Sequence, residues 1–160
     1  IQPYPGNKGV ISWYSYSNPE AASANTGLES SNKIVEMIYE DPTDKKLYLV
    51  FILDRFDDSG GGNTQVQISG AKGANIILMD DPGESGNNNK YNGNTGSGSI
   101  KWTWSSCCTD GAVLGPLTAP FCIQVKRQSS SGINGVITMN GKKKVTLGSF
   151  SKPVEFCSNP

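Results

Sequence analysis

Histidine is absent from all 160 residues. That removes the Ser-His-Asp triad, the Cys-His dyad and every His-ligated metal site, because each needs an imidazole. Acid–base chemistry would fall to carboxylates, lysine or tyrosine. A CxxC pair is missing too, which argues against a redox motif and, without histidine, against structural zinc. There is no basic excess: 14 Lys+Arg balance 14 Asp+Glu. Nucleic acid is therefore not an expected partner. The one basic run, Lys142-Lys143-Lys144, is short and local. No apolar run approaches the roughly 20 residues of a membrane-spanning helix, so membrane insertion is not expected. There is no Asn-x-Ser/Thr sequon to indicate a compartment. The chain starts at Ile1, without methionine or signal peptide, and reads as a mature chain or an excised module of a larger secreted or surface protein.

What is present is short and strand-like. Val-, Ile-, Tyr-, Phe-, Trp- and Thr-rich bursts lie at 10–16, 33–39, 46–53, 64–68, 74–79, 100–105, 121–126, 135–139, 143–148 and 153–157. Gly, Pro, Asn, Asp or Ser bounds most of them. About ten short strands in a chain of one-domain length predict an all-β fold. The expected form is a single antiparallel β-sandwich over 1–160, jelly-roll or immunoglobulin-like. Asn140-Gly141 between two bursts predicts a type I′ hairpin, with the lysine run guarding a sheet edge. Residues 20–32 read as one short helix or a loop. Residues 82–99, rich in Gly, Asn and Ser, form a segment long enough to be functional or mobile.

Four cysteines, Cys107, Cys108, Cys122 and Cys157, predict two disulfides in an oxidising compartment. Adjacent residues on a strand point to opposite faces, so Cys107 and Cys108 are expected to take separate partners. One would bond Cys122 and the other Cys157, bracing the turn that holds Asp110. A direct Cys107–Cys108 bridge would strain the intervening peptide.

Seven carboxylates cluster just after strand bursts: Asp54, Asp57 and Asp58; Asp80, Asp81 and Glu84; and Asp110. If 47–53, 64–68 and 74–79 form a meander, the first two groups meet at one end of a sheet. Asp110 joins them only if 82–99 crosses that apex or hides a strand. Crowded carboxylates repel one another unless a cation sits among them, and hard oxygen ligands on Gly-bearing loops suit calcium. The predicted ligands are Asp54, Asp57, Asp58, Asp80, Asp81 and Asp110. The EF-hand pattern is not met, since Ser59 stands where its glycine would be. The bland alternative is a set of solvated Asp-rich turns.

Trp102 and Trp104, two apart, face one side of a strand. The favoured reading puts them between two sheets; the alternative exposes them, with Tyr91, as a platform for sugar rings. The resulting expectation is an extracellular, non-catalytic calcium-binding sandwich that contacts protein, matrix or glycan. Three rivals are a carbohydrate-binding module using the tryptophans, a self-assembling subunit of a filament or surface layer, and a small carboxylate-dependent glycosidase.

Overall fold

The computed structural model describes residues 1–16, 24–56, 60–105, 108–147 and 149–158. In chain order the elements are β1 (Tyr4–Pro5), α1 (Val10–Tyr14), β2 (Lys33–Glu40), β3 (Leu47–Leu53), β4 (Gly62–Ser69) and β5 (Asn75–Met79). There follow β6 (Asn88–Asn89), β7 (Gly98–Trp104), β8 (Asp110–Leu117), β9 (Cys122–Ser131), β10 (Gly135–Asn140), β11 (Lys143–Leu147) and β12 (Val154–Cys157). They form two packed sheets. One has seven strands, in the order β11-β10-β2-β3-β8-β5 with β1 beside β2; the other has five, in the order β12-β9-β4-β7-β6.

The nearly all-β two-sheet expectation holds, with corrections in detail. Pairing is not purely antiparallel, because β10 and β1 both run parallel to β2. They share one edge of it in succession, β10 along Lys33–Glu36 and β1 along Tyr39–Glu40. The 10–16 burst begins as a helix rather than a strand. Val10, Trp13 and Tyr14 fall at helical spacing and are the buried residues of α1. Asp41 Oδ2 accepts the Val10 N–H at 2.6 Å, and Ser15, at φ 55°, ends the helix.

The strand β8 lies between the 100–105 and 121–126 bursts, in a stretch not expected to form a strand. Its Gly and Pro disguise it, yet it pairs with both β3 and β5. The hairpin is also shifted by one residue. Asn140 pairs with Lys143, so Gly141 and Lys142 occupy the turn and only Gly141 has positive φ. That is the pattern of a turn with Gly first rather than second. Lys143 and Lys144 lie, as expected, on the edge strand β11.

Burial explains the two sequence textures. The runs of β2 and β3 are buried on both faces. On the inner side, Ile34, Ile38, Leu49, Phe51 and Leu53 meet Val66, Ile100, Trp102, Trp104, Val125 and Phe156 of the smaller sheet. On the outer side, Val35, Met37, Tyr39, Val50 and Ile52 are covered by Val10, Trp13 and Tyr14. The Trp13 and Tyr39 rings lie 4.4 Å apart. By contrast β4 and β7 alternate buried and half-buried residues, so the far face of the smaller sheet is left to solvent.

One ion pair crosses the core. Arg127 Nη1 of β9 lies 2.8 Å from Glu36 Oε1 of β2, with both side chains fully buried. Arg127 also donates to the carbonyls of Phe150 and Lys152, and Thr138 donates to Glu36. Burial pushes Glu36 up to about 7 in spite of the guanidinium.

Among the described residues one disulfide is seen, Cys122–Cys157, between directly opposed positions of β9 and β12. This overturns the expected bridges from Cys107 and Cys108 to those two cysteines. The physical reason is sheet register, which places Cys122 and Cys157 face to face on neighbouring strands. Cys107 lies outside the described residues, and no described cysteine is free.

Candidate metal centre

The larger sheet brings three of the expected acids to one place. Here β8 runs antiparallel to both β3 and β5, so the start of β8 meets the ends of the other two. Asp110 opens β8, opposite Leu53, while Asp80 and Asp81 follow Met79 at the end of β5. Asp80 N–H donates to the Gly111 carbonyl at 3.0 Å, holding the two chain segments together. Carboxylate oxygens of Asp80, Asp81 and Asp110 all lie within 4.8 Å of one another.

The route is not the meander anticipated from the sequence. The strand β4 belongs to the other sheet, and β8, not β4, lies between β3 and β5. Residues 82–99 do cross from one sheet to the other and contain β6, but it is the pairing of β8 with β5 that delivers Asp110.

The hydrogen bonding of the three acids is uneven. Tyr14 Oη donates to Asp80 Oδ2 at 2.9 Å, and Tyr16 Oη to Asp81 Oδ1 at 2.5 Å. Asp80 Oδ1 and both oxygens of Asp110 are buried with no hydrogen-bond partner among the described residues. Such groups are costly in a folded interior, and native proteins rarely leave them unmet. Burial, above all, pushes Asp80 up to about 8 and Asp110 to about 9, and neighbouring carboxylates add to both shifts. The Tyr14 hydrogen bond works against the shift at Asp80. Tyr16 is itself raised to about 12, by burial and then by its bond to Asp81.

Gly111 makes the tyrosine contact possible. A Cβ there would collide with the Tyr14 hydroxyl and the Phe51 carbonyl. The Gly111 carbonyl also accepts from Trp102 Nε1 at 3.0 Å, which ties the site to the core. Glu84 sits at the margin. Its N–H donates to the Asp81 carbonyl at 3.0 Å, and burial and Asp81 raise its carboxyl.

The other expected residues lie elsewhere or in other roles. Asp54 stands at the same end of the sheet, at φ 66°, but its carboxylate is engaged. Oδ1 accepts the Asn32 N–H at 2.8 Å and Oδ2 accepts Trp104 Nε1 at 3.0 Å. It acts as a structural acid. Asp57 and Asp58 lie outside the described residues. Trp102 and Trp104 are buried in the core, so neither ring is offered to a sugar. Tyr91 packs against the core and donates its hydroxyl to the Ala71 and Ala74 carbonyls.

Sequence reasoning missed Tyr14, Tyr16 and Gly111. The helical spacing of Val10, Trp13 and Tyr14 would have moved Tyr14 off a strand, but nothing in the sequence joins it to Asp80. A second grouping of ligand-type side chains, Cys122, Glu155 and Cys157, is exposed, and its cysteines are already bonded to each other. Among the described residues no helix is long and apolar enough to cross a membrane. Compared with known proteins, the chain matches no family model, no curated protein and no solved structure.

Proposed function

We propose that the chain is a calcium-binding β-sandwich module of a secreted or surface protein, acting without catalysis in adhesion or in contact with matrix or glycan. One observation carries the ion site. Asp110, fully buried, has both carboxylate oxygens without a partner among the described residues, beside Asp80 Oδ1 in the same condition. Tyr14 holds Asp80 by Oδ2 and Tyr16 holds Asp81 by Oδ1, which leaves Asp80 Oδ1 for an ion. Orientation of ligating carboxylates by such outer hydrogen bonds is usual at metal sites.

Donor chemistry favours calcium. The oxygens are hard, and neither imidazole nor thiolate is among them. Magnesium is less suited, because it tends to retain several waters and these acids are mostly buried. Calcium would replace the protons that burial holds on Asp80 and Asp110. It would tie the end of β5 to the start of β8 and, through the tyrosines, to the segment that covers the outer face.

A non-catalytic role fits the same burial. A glycan-cleaving pair must flank a sugar bound between them; Asp80 and Asp110 are closed over within the apex. The disulfide fits the proposed secretion.

The test is metal content of the purified protein together with a melt in chelator and in millimolar calcium. Bound calcium and a higher melting temperature with calcium are expected. No metal and no shift would refute the site.

A further inference from the structure

We infer that the solvent face of the smaller sheet is a binding surface for an anionic polysaccharide. The alternation of β4, β7 and β9 turns their apolar residues inward and leaves polar ones outward. Register aligns the outward residues into rows across the strands. Gln67 of β4 pairs with Lys126 of β9 on one side and with Ser99 of β7 on the other. Lys90, one residue past β6, donates its N–H to the Ser99 carbonyl at 2.8 Å and extends this row. The row therefore reads Lys126, Gln67, Ser99, Lys90, with a lysine at each end. Three strand spacings separate the lysines, about 14 Å.

The next row is similar. Gln65 pairs with Lys101, and Lys101 with Asn88. Gln65 Nε2 donates to Gln128 Oε1 at 2.7 Å, which orders the amides in advance. A hollow of about 60 Å³ opens between Gln65, Asn88, Lys90, Ser99 and Lys101.

Charge selects the occupant. The chain as a whole is neutral, yet Lys90, Lys101 and Lys126 share this face. Of the strand residues described on this sheet, Glu155 of the edge strand β12, paired with Gln124, carries an outward carboxylate. A polymer laid across the strands would meet cations about 14 Å apart, with amides and a hydroxyl between them to bond sugar hydroxyls. Nucleic acid fits less well. Single strands are held by exposed aromatic platforms, and here both tryptophans of β7 point into the core. An acidic peptide would leave the amide rows without matching hydroxyls.

The inference does not depend on the cation site, so its test is run in chelator. Polygalacturonate (carboxylate) and dextran sulfate (sulfate) are titrated at low and at high salt, beside neutral dextran and duplex DNA. Binding to at least one anionic glycan, weakened by salt and absent with neutral dextran, is expected. Which of the two binds identifies the anionic group. The triple variant Lys90→Gln, Lys101→Gln, Lys126→Gln should lose roughly tenfold or more in affinity with an unchanged melting temperature. No binding to either polymer, salt-insensitive binding, equal binding of DNA or an unaffected triple variant would overturn the assignment.

Discussion

The Tyr14 hydroxyl lies 2.9 Å from Asp80 Oδ2, while Oδ1 of the same carboxylate has no partner among the described residues. The bond joins a five-residue helix on the outer face of the larger sheet to the end of β5. A carboxylate held by one oxygen presents the other in a fixed direction, which is what an ion needs from its ligand.

Removing either tyrosine hydroxyl should therefore weaken calcium binding more than it weakens the fold. Tyr14→Phe and Tyr16→Phe are each expected to lower calcium affinity by roughly 10–100-fold. Calorimetric titration of the folded variants reads this directly. Unchanged affinity with a lower melting temperature would assign the tyrosines to packing alone.

Two acids at the same end of the sheet should separate cleanly. Asp110→Asn is expected to abolish the calcium-dependent rise in melting temperature, because it removes the carboxylate with two orphaned oxygens. Asp54→Asn should keep that rise. It would still destabilise the protein by about 1–3 kcal/mol by disturbing the acceptor of Asn32 N–H and Trp104 Nε1. If both variants respond to calcium like the parent, Asp110 is no ligand.

Much of this arrangement was visible in the residues, for identifiable reasons. The apolar runs of β2 and β3 and the alternation of β4 and β7 announced strands, because sheet faces impose a period of two. They also placed Trp102 and Trp104 correctly in the core. The strand β8 escaped because its stability comes from its neighbours β3 and β5; DGAVLGPL has little strand character of its own. With β8 hidden, the meeting of Asp110 with Asp80 rested on a crossover that could only be supposed. The Cys122–Cys157 bridge escaped likewise, since it follows from the pairing of β9 with β12. Asp54 looked equivalent to Asp80 in sequence, and only the approach of Trp104 and Asn32 distinguishes them.

The buried acids predict a pH dependence with a definite sign. Asp80 and Asp110 are raised from 3.8 to about 8 and about 9 in the folded, cation-free protein. The folded state thus keeps protons that the unfolded chain has already released. Their stabilising contribution is fully present below pH 4 or so and is lost as pH rises through 8 to 9. In chelator the melting temperature should fall across that range. Saturating calcium should remove the decline, since the ion binds the ionised carboxylates. Parallel curves with and without calcium would contradict the coupling.

The Arg127–Glu36 pair is the remaining sensitive point, remote in role from the apex. It is buried between the sheets, and Arg127 also holds the Phe150 and Lys152 carbonyls. Arg127→Met would leave Glu36 without its counter-charge and those carbonyls without their donor. A cost of about 3–5 kcal/mol is expected for breaking one side of a buried pair. Glu36 could then remain buried only by taking up a proton, so the loss should grow as pH rises above the ordinary carboxylate range. Urea unfolding of Arg127→Met at acid and neutral pH measures both effects. A loss below 1 kcal/mol or so, equal at both values, would show that the pair contributes no more than an exposed one.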